Sequence, residues 1–229
     1  MKNSIGVICS VLLSAILFFS AAQDASTLPP EDTAGVQSLP ELSFEENMSL
    51  EEAIQKRRSV RSFAQKKLSR EQLGQLLFAA QGITEPVQGF RTAPSAGATY
   101  PLEVFAATPT GIYHYIPEEH ALAEISSADV RDDLAEAAHE QSFIADAGVI
   151  IIFAAVMERT TNRYGDRGVQ YICMEAGHAA QNLLLQAVSL GLGAVPVGAF
   201  SDDAAVLEII GGDKTMEPLY IIPVGYPEE

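Results

Sequence analysis

The spacing of apolar and polar residues changes character twice along the 229-residue chain, and it predicts three stretches. Positions 5–19 are apolar or small and uncharged, preceded by Lys2 and followed by Ser20, Ala21 and Ala22. About 15 apolar residues fall short of the roughly 20 that a helix needs to cross a bilayer, so this run reads as a secretory signal peptide occupying 1–22. Retention as an N-terminal membrane anchor is the competing reading. Over 23–48 the apolar residues are too scattered to define a face, and Pro29, Pro30 and Pro40 interrupt an acidic stretch with no lysine or arginine, the pattern of a solvated linker.

The remaining segment, 49–229, carries periodic signals throughout. Ser49 and Glu52 have capping-box spacing ahead of a short helix ending near 56–58. Ser69 caps a second helix, whose Leu73, Leu76, Leu77 and Ala80 line one face and whose Gly82 offers a left-handed stop. A loop over 83–99 follows. Strands are expected at 102–108 and 111–116, joined by a turn at Pro109 and Thr110, and a polar helix at 128–138. The β-branched run at 148–156 suits a strand buried on both faces, with further strands at 194–199 and 219–224. The helix at 169–190 carries one charge, Glu175, and apolar residues all around it, which requires burial. Its Ala176, Gly177, Ala179 and Ala180 permit close approach, and a domain of this size needs a partner subunit to cover such a helix. Helices and strands without regular βαβ alternation indicate the α+β class, with a central sheet flanked by helices.

Composition narrows the function. With 30 acidic against 14 basic residues the formal charge is -16, which disfavours nucleic acid and anionic lipid as partners. The only cysteines are Cys9, inside the expected signal peptide, and Cys173, read as an inert core residue, so no disulfide is expected. Glu175 and His178 lie three apart on one helix, but a second such pair is missing and no metal site is expected.

Against the acidic background, Lys56, Arg57, Arg58, Arg61, Lys66, Lys67 and Arg70 crowd into one short region. If the chain is extended there, Arg57, Ser59 and Arg61 alternate onto one side, a donor set suited to a phosphate. A solvated helix C-terminus favoured by the macrodipole accounts for the same cluster. Pro94, Ser95, Ala96, Gly97 and Ala98 offer small side chains and open backbone N–H groups to a flat ligand, as do Val197, Gly198 and Ala199.

The order and spacing of 57–63, 91–101, 111–115, 164–168, 175–182 and 191–200 resemble the nitroreductase family of flavin mononucleotide (FMN) proteins, most closely its SagB/ThcOx-type dehydrogenase branch. The resemblance covers about 49–227. It implies a nitroreductase-like α+β fold and a homodimer with FMN at the interface, where the long helix at 169–190 would be covered. By that resemblance Arg57, Ser59 and Arg61 would hold the flavin phosphate and ribityl chain, with Arg58 close by. Residues 94–98 would arrive from the other subunit, and Val197, Gly198 and Ala199 would lie along the flavin ring. Tyr164 and Arg163 fall where azole-forming members carry a Lys-Tyr pair, giving a candidate proton carrier and a substrate anchor. Arginine stays protonated, so Arg163 is no base.

The expected activity is two-electron dehydrogenation of an organic substrate, azoline-like among the candidates, by an exported FMN-dependent oxidoreductase. Alternatives are an NAD(P)H-dependent nitro- or quinone reductase and a non-catalytic flavin-binding electron carrier. The small-residue boundary gives a direct test of export to the periplasm or exterior: N-terminal sequencing of protein from the producing cells should begin near Gln23. An intact Met1 in the cytoplasmic fraction overturns it.

Overall fold

The computed structural model describes residues 35–44 and 48–228, so the leader, Cys9 and the first part of the expected linker lie outside the described residues. The elements follow in the order β1 (Val36–Ser38), α1 (Leu50–Lys56), α2 (Arg70–Gln81), β2 (Ile83–Glu85), β3 (Phe90–Arg91), β4 (Leu102–Thr108), β5 (Gly111–Ile116), β6 (Ala121–Ser126), α3 (Arg131–Ala137), β7 (Val149–Val156), α4 (Glu158–Tyr164), α5 (Arg167–Ser189), β8 (Gly193–Ala194), α6 (Asp203–Ile209) and β9 (Met216–Gly225). Seven strands form one sheet in the order β1-β6-β5-β4-β7-β9-β8, antiparallel throughout, and β2 and β3 form a separate small hairpin. This is the expected α+β arrangement.

Successive side chains of a strand point to opposite faces, and β7 separates two hydrophobic layers on that basis. Val149, Ile151, Phe153 and Ala155 join the layer containing α2 and α5, whereas Ile150, Ile152 and Ala154 join the layer containing α3 and α6. Its neighbours β4 and β9 follow suit, with Val104 and Ile222 in the first layer and Phe105 and Ile221 in the second. The double burial that the 148–156 run required therefore has a three-layer explanation.

Several expectations need correction. The linker is interrupted by structure: Val36–Ser38 pairs with β6 as the sheet's edge strand, and Leu39 is buried in the α2–α5 layer. A three-residue edge strand needs no apolar periodicity, because backbone hydrogen bonds hold it. Ser49 accepts from the Glu52 amide as foreseen, but the Glu52 carboxylate pairs with Lys56 at 2.6 Å. The full capping box occurs instead at Ser69 and Gln72. Gly82 is extended, with φ -63° and ψ 150°, rather than left-handed; glycine is needed because a Cβ there would lie 2.0 Å from the Phe78 ring. The 83–99 loop contains the β2–β3 hairpin. The 194–199 strand shrinks to Gly193–Ala194, since Pro196 has no N–H to continue the ladder, and contact resumes as a bridge between Val197 and Ile221.

Helix α5 is half covered within the single chain. Ile172, Ala176, Ala179, Ala180, Leu183 and Ala187 are buried in the α2 layer, while Val169, Cys173, Met174, Gly177 and His178 are exposed. Cys173 is thus a surface thiol and not a core residue, because its position falls on the face turned away from α2. Helix α1 packs on α5 and itself exposes Leu50 and Ile54. Among the described residues no helix is long and apolar enough to cross a membrane.

Candidate functional site

The sequence-designated residues fall into two groups. The first lies on the β8 edge of the sheet. After α1 the chain runs extended beside β8, with Ser59 bridged in parallel to Ala194 and the Val60 amide donating to the Ala194 carbonyl at 3.2 Å. Val60 packs into the α3–α6 layer, so in an extended segment its neighbours Ser59 and Arg61 face the opposite way. Neither Arg57 nor Arg61 has a carboxylate partner among the described residues; Arg61 lies 5.9 Å from the centroid of the Phe143 ring. Arg58 behaves differently, donating to the carbonyls of Gln55 and Arg57 and thereby capping α1. Past β8, Val197 is buried while Gly198 and Ala199 are exposed. The C-terminal strand's extension folds back on this segment: Ser62 Oγ donates to the Glu228 carboxylate, and the Ala64 amide donates to the Tyr226 carbonyl at 2.8 Å.

The second group surrounds residues 94–98. Gly97 sits at φ +63°, a left-handed conformation suited to glycine, and a Cβ there would come within 2.5 Å of the Tyr164 hydroxyl and 2.6 Å of the Arg163 guanidinium. Helix α4 is stitched to this loop at three points. Arg163 donates to the Gly97 carbonyl at 3.0 Å, the Thr160 and Thr99 hydroxyls pair at 2.8 Å, and Arg159 donates to the Tyr100 carbonyl at 3.1 Å. Arg163 and Tyr164 therefore belong to the same assembly as Pro94, Ser95, Ala96, Gly97 and Ala98. No hydrogen bond or ring contact joins this group to the first among the described residues.

Glu103 fixes the far end of the stitch. Its carboxylate meets Arg159 at 2.5 Å and His114 Nε2 at 2.6 Å. Burial alone would raise this carboxyl, but the His114 hydrogen bond and the Arg159 charge outweigh it and hold the group below the usual carboxylate range. Helix α4 and its clamp escaped the sequence reading because Thr160, Thr161 and Asn162 give the helix no apolar periodicity; the spacing of Arg159, Arg163 and Arg167 was the available signal.

Beneath the loop lies Glu175 of α5, only 2% exposed, with Oε1 unpartnered among the described residues. Burial pushes its carboxyl up to about 7, against smaller opposing effects from the Ser95 hydroxyl and the Arg91 guanidinium. Arg91 in turn donates to Gln81 Oε1 at 3.1 Å and lies 4.9 Å from the Tyr100 ring centroid, tying the acid to the loop's other end. His178, three residues on, is exposed, so the Glu175–His178 pair spans two environments. Among the described residues no group of three or more metal-binding side chains occurs.

The raised Glu175 carboxyl makes stability depend on pH. An unfolded chain ionises it near 4.5 and the folded chain near 7, so folding is penalised progressively as pH rises through that window. Glu175→Gln has no proton to lose and should gain stability relative to the parent between pH 5 and pH 8 in urea unfolding. A parallel pH dependence in both proteins would remove this role.

Comparison with known proteins identifies the framework. The nitroreductase family model matches residues 54–226. The nitroreductase-type protein MJ1384 of Methanocaldococcus jannaschii is 47% identical over 201 residues, covering 85% of this chain and 97% of that protein. The microcin B17-processing protein McbC of Escherichia coli is 25% identical over 166 residues, covering 68% of this chain and 61% of McbC. Among solved structures, a nitroreductase from Ralstonia eutropha JMP134 superposes with a TM-score of 0.78 at 30% identity, covering 88% of this chain and 94% of that one. A family match spanning both groups of site residues, together with a relative so close over nearly its whole length, means that this chain belongs to the nitroreductase family.

Proposed function

We propose that this nitroreductase-family oxidoreductase is an exported, FMN-dependent dehydrogenase of the SagB/ThcOx type that acts as a homodimer. The observation carrying the cofactor assignment is the pair Arg57 and Arg61, which flank Ser59 and have no carboxylate partner among the described residues, in a chain of net charge -16. The donor set fits a phosphate ester: two planar guanidinium forks and a hydroxyl on one extended segment. Arg57, Ser59 and Arg61 would hold the phosphate and ribityl chain, and Val197, Gly198 and Ala199 would border the ring. Residues 94–98 would complete the site from the partner. The exposed Val169 and Met174 of α5, with Leu50 and Ile54 of α1, favour such a pairing of chains. Bound there, FMN would supply two-electron hydride transfer.

The chain's own residues would orient the substrate and move the proton. The Tyr164 hydroxyl, held close to Gly97, is the candidate proton carrier. Arg163, fixed to the Gly97 carbonyl, is the candidate anchor. The likeness to McbC favours the dehydrogenase reading, whereas the nitroreductase names of MJ1384 and the Ralstonia protein favour reduction of a nitro or quinone compound. Export, if it occurs as proposed, would favour the former, because nicotinamide dinucleotides are largely cytoplasmic.

Two measurements follow. Arg57→Ala and Arg61→Ala should each weaken FMN binding by roughly 1.5 to 3 kcal/mol through loss of a charge-assisted hydrogen bond; unchanged affinity in both variants refutes this phosphate site. Anaerobic stopped-flow of the FMN-loaded protein should show only slow loss of flavin absorbance with NAD(P)H. Fast bleaching at micromolar NAD(P)H would establish the reductase alternative.

A further inference from the structure

Beyond Arg163 and Tyr164, the start of α5 adds a second arginine and a second tyrosine. Tyr164 and Tyr171 stand edge to face, with ring centroids 5.1 Å apart and planes at 89°. Each ring carries a guanidinium: Arg163 lies 5.3 Å from the Tyr164 centroid and Arg167 lies 5.5 Å from that of Tyr171. Neither arginine has a carboxylate partner among the described residues, although acidic residues outnumber basic ones 30 to 14. Arg159, one turn before Arg163, is by contrast neutralised by Glu103 and serves to hold α4.

A guanidinium resting on an aromatic face keeps its N–H edge free, and that edge matches a carboxylate at two points. Arg163 uses one N–H on the Gly97 carbonyl, and the Arg167 side chain makes no hydrogen bond among the described residues. The perpendicular tyrosines add an apolar corner against which a flat group packs. In a chain of net charge -16, the uncompensated Arg163, bonded to the 94–98 loop, and Arg167, set on the adjoining Tyr171 ring, select where an anion settles.

We propose that Arg163, Tyr164, Arg167 and Tyr171 form the recognition platform for a planar, conjugated substrate bearing a carboxylate, with Arg167 as the specificity-determining cation. This rests on the reading of residues 94–98 as the edge of the flavin site. A carboxylate from a second copy of the chain is the rival occupant.

Cinnamate and its neutral counterpart cinnamamide test the assignment, titrated by calorimetry into both flavin-free and FMN-loaded protein, with the assembly mass measured in parallel. Cinnamate should bind at least tenfold more tightly than cinnamamide. Arg167→Gln should abolish that preference, and Arg167→Lys, which keeps the charge but loses the fork, should retain part of it. Equal binding of the two probes, binding of neither, or a preference that persists in Arg167→Gln overturns the proposal. So does a fall in assembly mass in Arg167→Gln with the preference intact, which would assign the cation to the second copy. Failure of FMN to bind the parent protein would defeat the flavin reading alone, because the flavin-free titration still reports on the platform.

Discussion

Burial of β7 on both faces is the constraint from which the rest of the fold follows. Ile150, Ile151, Ile152 and Phe153 are fully buried in succession, each worth roughly 1.5 to 3 kcal/mol when removed from water. A strand apolar on both faces needs a helical layer on each side, which α2 and α5 supply on one and α3 and α6 on the other. With its faces covered, β7 takes β4 and β9 as neighbours, and the two candidate groups emerge from their surroundings. The 97–100 loop leads into β4, and the 57–61 segment lies beside β8, which pairs with β9.

Electrostatics then differentiates a surface dominated by carboxylates. Arg131 is paired with Asp129, Arg159 with Glu103 and Arg91 with Glu118, all structural uses of the cation. Arg57, Arg61, Arg163 and Arg167 have no such partner among the described residues: Arg57 and Arg61 flank Ser59 beside β8, and Arg163 holds the Gly97 carbonyl. The buried Glu175 adds a different element: an acid whose carboxyl desolvation pushes up to about 7, underneath the 94–98 loop. Burying it without a partner for Oε1 is costly, while the neighbouring Ser95 and Arg91 offset part of that cost.

Local sequence determined what local chemistry can encode. Ser69 and Gln72 built their capping box, Leu73, Leu76 and Leu77 marked the inner face of α2, and strands β4 and β5 began and ended where the pattern placed them. The arginine cluster at 57–61 and the small-residue loop at 94–98 were visible because unusual composition needs no coordinates. Tertiary structure alone decided which partners meet over long separations. It paired Val36–Ser38 with β6, turned Cys173 outward, and set the Phe78 ring where a Cβ on residue 82 would lie, so that position takes glycine. It also stitched a helix without apolar periodicity, α4, to Gly97, Thr99 and Tyr100. Periodicity records the contact of an element with a core, whereas these features rest on single hydrogen bonds, steric contacts and helix rotation, which leave no repeating mark in the chain.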